Sequence, residues 1–182
     1  MVLFINGLPL VVMELKNQFT GQTVEHAIKQ FKQDRDPREQ LFQFNERVAV
    51  YFAVGPDEVF MTTKLDRQKT YFLPFNKGNN GGKGNPTVYN NYRTHYLWEE
   101  ILLPDSLLDI LFRFVYMKKD EILDSNGEVV AERKMLIFPR YHQLDVVRKL
   151  EQDVEAKNVG QNYLIQHSAG SGKTNSISWL AH

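Results

Sequence analysis

The sequence predicts an α/β protein: a mixed β-sheet with flanking helices, followed by the opening of a second unit. Short β-rich stretches separated by Asn-Gly and Gly-Pro turns fill much of the first half, and an amphipathic helix interrupts them at 23–32. Near the end, a β-rich stretch, a glycine-rich loop and a helical pattern follow one another.

The elements follow in order. Val2–Ile5 and Leu10–Lys16 flank Asn6-Gly7-Leu8-Pro9, a hairpin signal. Thr23–Lys32 is a helix with Thr23 as N-cap and Val24, Ala27, Ile28 and Phe31 at helical spacing, ended by Asp34-Arg35-Asp36-Pro37. Arg47–Val54 and Glu58–Thr63 are strands around Gly55-Pro56-Asp57, with a further strand at Lys69–Pro74. Asn and Gly dominate 76–91, which reads as a long exposed loop. Tyr96–Leu103 and Ser106–Phe114 are short helices divided by Pro104-Asp105. Phe114–Met117 and Arg133–Phe138 are strands, with a turn at Asp124–Gly127. Tyr141–Ala156 is a charged helix, Tyr163–Gln166 a strand, and a last helical pattern runs to His182. The division expected is 1–125 and 126–182.

Composition excludes several classes. The 182 residues carry 22 Lys or Arg against 22 Asp or Glu, so bulk charge draws the chain to neither nucleic acid nor an acidic surface. No apolar stretch approaches the about 20 residues of a membrane span, and no signal peptide is seen, so no membrane partner and a cytoplasmic location are expected. There is no cysteine, which removes disulfides and thiolate metal sites. The five histidines, His26, His95, His142, His167 and His182, show no metal-ligand spacing. Tyr89, Tyr92, Tyr96 and Trp98 read as core and loop anchors rather than base-stacking platforms.

Gly170-Ser171-Gly172-Lys173-Thr174 follows a β-rich stretch and opens a helix, the context of a phosphate loop. Glycines there let backbone N–H groups line an anion site at the positive end of a helix. Lys173 would meet the β- and γ-phosphates and Thr174 a Mg²⁺ ion. His167 stands where the general pattern has its first glycine. Gln143, about 30 residues before Lys173, could read adenine, its amide accepting from the amino group and donating to N7. The bland alternatives are a surface turn and an ordinary helix residue.

Strand alternation puts Val12, Glu14 and Lys16 on one face and Val11, Met13 and Leu15 on the other. A carboxylate and an ammonium facing the same way on an apolar strand suit a metal-dependent nuclease, Glu14 ligating Mg²⁺ and Lys16 activating water. The alternative is a paired or solvated strand end.

Phe4-Ile5-Asn6-Gly7-Leu8-Pro9-Leu10-Val11-Val12-Met13-Glu14-Leu15-Lys16-Asn17 resembles the nuclease core of the restriction (R) subunit of type I restriction–modification enzymes. That core reads approximately R-P-D-h-V-x-F-h-N-G-L-P-L-V-V-h-E-h-K-N. Phe138–Gln143 and His167–Thr174 are similar to the start of the same subunit's motor. The resemblance implies a PD-(D/E)-x-K nuclease joined to a RecA-like, ATP-driven motor that pulls duplex DNA, with ATP and Mg²⁺ as cofactors. It implies methyltransferase and specificity subunits as partners. It makes Glu14 the metal ligand, Lys16 the catalytic lysine and Gln30 the Gln of a Q-x-x-x-Y element whose Tyr position is Asp34. Gln143, Gly170, Ser171, Gly172, Lys173 and Thr174 would hold the nucleotide and its Mg²⁺. The family's metal-binding Asp is expected a few residues before Val2, and the motor's Asp-Glu box after His182, so the chain alone is expected to be inert. Rival readings are another nuclease–helicase fusion of DNA repair or phage defence, a non-catalytic module docking DNA or subunits, and a free-standing P-loop NTPase.

Overall fold

The computed structural model describes residues 1–17, 19 and 21–181. These form a mixed α/β fold in two compact units, Met1–Phe138 and Pro139–His182.

The first unit is built on a five-stranded sheet in the order β1-β2-β3-β4-β5. Its strands are β1 (Val2–Ile5), β2 (Leu8–Leu15), β3 (Val50–Val54), β4 (Val59–Thr62) and β5 (Leu73–Pro74). Asn6 and Gly7 turn the first hairpin with φ of 49° and 80°, the left-handed pair that a two-residue turn demands. β2 and β3 run parallel and the other neighbours antiparallel. The parallel pair requires a crossover, supplied by helix α1 (Val24–Gln33) and the irregular stretch after it.

That crossover divides the core. On one face, Val24, Ala27 and Phe31 of α1 pack with Val12, Phe42, Val48, Tyr51, Ala53 and Leu65. The alternate residues Val11, Met13, Val50, Phe52, Val54 and Met61 are equally buried. Phe52 packs there against Phe75 and Phe138, at 5.1 and 5.9 Å between ring centroids. Helix α2 (Pro104–Asp109) is flanked by two π-helical turns, Leu97–Ile101 and Ile110–Phe114, whose apolar residues Leu97, Ile101, Leu107, Ile110 and Phe114 are buried.

Several expectations are corrected. The strand expected at Lys69–Pro74 shrinks to Leu73–Pro74, because turns consume the preceding backbone: Lys69 and Thr70 N–H donate to Asp66 and Arg67 C=O. The loop 76–91 is not wholly exposed. Asn85 is buried, accepts from Lys77 N–H (2.8 Å), and donates to Asp57 C=O (2.8 Å) and Asn76 Oδ1 (3.0 Å). The strands at Phe114–Met117 and Arg133–Phe138 belong to one long ribbon, β6 (Tyr116–Leu123) and β7 (Val129–Ile137). The expected division at 125/126 falls inside that ribbon, and the compact units part at Phe138/Pro139 instead.

The second unit consists of α3 (Tyr141–Lys157) and α4 (Lys173–Ala181), whose buried residues are Gln143, Leu144, Val147, Ser176 and Trp179. The strand expected at Tyr163–Gln166 does not form. A strand needs a neighbour for its N–H and C=O groups, and no other strand lies among the unit's described residues. His182 lies outside the described residues. Among the described residues no helix is long and apolar enough to cross a membrane.

Candidate functional sites

Two groups of sequence-predicted residues come together, one in each unit. In the first, Glu14 and Lys16 leave the end of β2 toward the α1 side of the sheet. Both find partners on or beside that helix. Lys16 Nζ donates to Gln30 Oε1 at 2.6 Å. Glu14, with its side chain only 13% exposed, accepts on Oε1 from Arg35 Nε at 2.9 Å and from Arg35 Nη2. The parallel β2–β3 register fixes the strand's direction, Glu14 beside Ala53 and Leu15 beside Val54. A carboxylate at this depth is costly unless paired, and Arg35 supplies the pairing. Arg35 is the functional candidate the sequence did not reveal.

Glu14 offers one carboxylate here. Among the described residues no group of three or more His, Asp or Glu side chains is placed to hold a metal. Mg²⁺ commonly takes only one or two carboxylates with water and substrate phosphates, so Glu14 suits a site that the substrate helps to complete.

In the second unit, the loop leading into α4 is tied to the start of α3. Gly170 and Gly172 have φ of 72° and 80°. Gln143, 3% exposed, accepts from Arg140 N–H at 2.9 Å and donates to Gly172 C=O at 2.9 Å. Arg140 Nη2 donates to Gly170 C=O at 3.0 Å. The Lys173 ammonium rests on the carbonyls of His167 and Ser168, each at 3.2 Å. Thr174 is exposed on the first turn of α4. Among the described residues the Ser171 hydroxyl, buried in the loop, has no hydrogen-bond partner.

His142 Nε2 lies 3.1 Å from Ser171 C=O, so Nε2 carries the hydrogen. Its ring meets His167 edge-on at 4.8 Å. Burial pushes the His142 imidazole below its ordinary 6.5, with the charges of Arg140 and His167 acting the same way and the Ser171 bond opposing. The sign follows: above 6.5 the group is neutral folded and unfolded, and its contribution is whole. As pH falls below that value the unfolded chain takes the proton first, and stability declines through the lower folded value. Urea unfolding followed by Trp179 in a Trp98→Phe background should show a midpoint falling from about pH 7.5 to about pH 5.5. His142→Gln should flatten that dependence.

Residues 1–70 match the family described as type I restriction enzyme R protein N terminus. Over 186 aligned residues and 98% of its length, the chain is 28% identical to the "Putative type I restriction enzyme MjaVIIIP endonuclease subunit" of Methanocaldococcus jannaschii. It is 25% identical, again over 98% of its length, to the type I restriction enzyme HindI endonuclease subunit of Haemophilus influenzae. The chain spans 16% of the length of each of these two relatives. No solved structure matches. Residues 1–70 are thus similar to the N-terminal domain of the type I restriction enzyme R proteins, and the chain over nearly its whole length is similar to endonuclease subunits of these enzymes.

Proposed function

We propose that this chain is the nuclease-bearing segment of an R subunit whose whole is an ATP- and Mg²⁺-dependent DNA endonuclease and translocase. Its partners are duplex DNA and the methyltransferase and specificity subunits. The observation that carries the nuclease reading is the Lys16–Gln30 bond beside Glu14, on a strand within the matched region.

In this reading Glu14 holds Mg²⁺, which supplies Lewis-acid stabilisation and lowers the pKa of water. Lys16 presents an ammonium to the phosphate under attack, and Gln30 fixes where that ammonium stands. Arg35 neutralises Glu14 and must yield or share its oxygen when the cation binds. The hairpin register supports a second ligand in a longer chain. Met1 and Met13 exchange backbone hydrogen bonds of 2.7 and 2.8 Å next to the Val2↔Val12 pair. One step further, a residue preceding Met1 would stand opposite Glu14 on the same face, where the family's Asp is expected.

In the second unit, the Gly170–Thr174 loop is read as a phosphate loop opening a motor domain. The unpartnered Ser171 hydroxyl and the Lys173 ammonium resting on loop carbonyls fit an anion. Gln143 has both ends of its amide engaged by the protein, so its part is to shape the loop, and adenine contact would draw on the remaining lone pair and hydrogen.

In an R subunit carrying this segment, Glu14→Ala should lower DNA cleavage by at least about 100-fold and leave ATP-driven translocation intact. Lys173→Ala should remove ATP hydrolysis and translocation, and with them cutting at a distance. Loss of translocation in Glu14→Ala would overturn the division of labour.

A further inference from the structure

A groove opens at the carboxyl ends of the parallel strands β2 and β3, the edge of an α/β sheet where ligands commonly bind. Its first part is a cleft of about 260 Å³ bounded by Lys16, Asn17, Val54, Thr94, Tyr92 and Trp98. Its second, about 450 Å³, lies beyond Tyr92 among Asn90, Asn91, Asp57 and Arg93. Pro56 and Tyr92 line both, so the two adjoin and together form one track.

The track has a fixed floor and aromatic walls. The buried Thr94 hydroxyl donates to Gly55 C=O at 2.8 Å, pinning the aromatic segment to the β3–β4 turn. Gly55 is itself held close to Val24, which a Cβ would approach to 3.2 Å. Tyr92 and Trp98 meet edge-to-face at 6.3 Å and keep 41% and 43% of their surface open, whereas Tyr96 nearby is wholly buried. Among the ionisable residues of the walls, Lys16 and Arg93 are cations and Asp57, 3.5 Å from Arg93, is the anion. A pair of half-open rings with a cation in each adjoining cleft is what an unstacked polynucleotide strand needs, rings for bases and cations for phosphates.

We propose that this track binds an unpaired stretch of the DNA strand. One base rests on Tyr92 and Trp98 beside Lys16, and its neighbour lies against Asn91 and Arg93. The proposal rests on the nuclease reading, because Lys16 belongs to both the track and the reactive strand. The track would hold the strand end that frays beside the scissile phosphate.

The test uses the 182-residue chain without metal, taking the fluorescence difference between the natural chain and Trp98→Phe as the Trp98 signal. An oligothymidylate of about eight nucleotides should quench that signal, and a blunt duplex of the same length should quench it less. Tyr92→Ala should weaken binding of the single strand about tenfold. Arg93→Ala should weaken it and flatten its salt dependence. No quenching by the single strand, or quenching that neither Tyr92→Ala nor Arg93→Ala alters, would overturn the track. Should that happen while Glu14→Ala still abolishes cutting in an R subunit, the nuclease reading stands alone. Should the track bind while Glu14→Ala cuts normally, the nuclease reading is the one that fails.

Discussion

Replacing Phe31 with alanine is expected to lower the stability of the first unit by about 3–5 kcal/mol. The ring has no exposed surface and meets Tyr51 edge-on at 5.8 Å and Phe72 at 5.8 Å. Helix α1 has 10 residues, too short to persist in water without the sheet beneath it. Since small domains are stable by only about 5–15 kcal/mol, this one truncation removes a large share. The functional consequence is local, because Gln30 precedes Phe31 and Arg35 follows the helix end. When α1 loosens, Lys16 loses its acceptor and Glu14 its counter-charge together. Phe52→Ala on the opposite face supplies the control. Its ring is equally buried against Phe75 and Phe138, so the loss should be of similar size. Native-state hydrogen exchange should then single out α1 amides in Phe31→Ala and spare them relative to β4 in Phe52→Ala. A shift of the urea midpoint worth less than about 1 kcal/mol for Phe31→Ala would mean that α1 is not held by this packing.

What the sequence revealed of this fold was mostly local. Asn6-Gly7 announced the hairpin because few residues tolerate two successive left-handed conformations. The second strand nonetheless starts earlier than its apolar pattern suggests, at Leu8, with Pro9 paired to Phe4. Proline has no N–H to give the ladder, and the register shift between Leu3 and Phe4 accommodates it. The β6–β7 ribbon was legible only at its apolar ends. Its middle, Lys119 to Glu121 against Glu132 to Lys134, pairs charged side chains and shows none of the apolar alternation that betrays a core strand.

The candidate nuclease residues divide the same way. Strand alternation put Glu14 and Lys16 on one face, and the resemblance supplied Gln30, whose partnership with Lys16 spans 14 residues. Arg35 lies 21 residues from Glu14 and in no motif. Its role comes from the crossover returning the chain above β2, which no spacing rule foretells. Asn85 was hidden for a different reason. A stretch of Asn and Gly reads as solvent-exposed, yet a buried Asn side chain can satisfy several backbone groups at once, and here it stitches the loop to the β3–β4 turn. Tyr92 and Trp98 were read with Tyr96 as anchors, although only Tyr96 is enclosed.

Gly172→Ala should be among the most damaging substitutions in the second unit, and the reason can be separated into parts. At φ of 80° any side chain is strained, at a cost of about 1–2 kcal/mol. Beyond that, an added Cβ would lie 2.4 Å from Gln143 Nε2, so the amide must move. Gln143 is 3% exposed and holds the loop by one end and Arg140 N–H by the other. Moving it leaves buried polar groups unsatisfied, at about 1–3 kcal/mol, and removes the contact that caps the first turn of α3. A double-mutant cycle separates the two contributions. In a Gln143→Ala background the clash is gone and only the backbone strain remains, so Gly172→Ala should then cost about 1–2 kcal/mol, against several in the natural chain. Urea unfolding read at Trp179, in a Trp98→Phe background, measures all four corners. Equal costs in the two backgrounds would mean that the glycine answers to the loop's backbone alone. Unequal costs would make Gln143 the residue against which the Gly170–Thr174 turn is shaped.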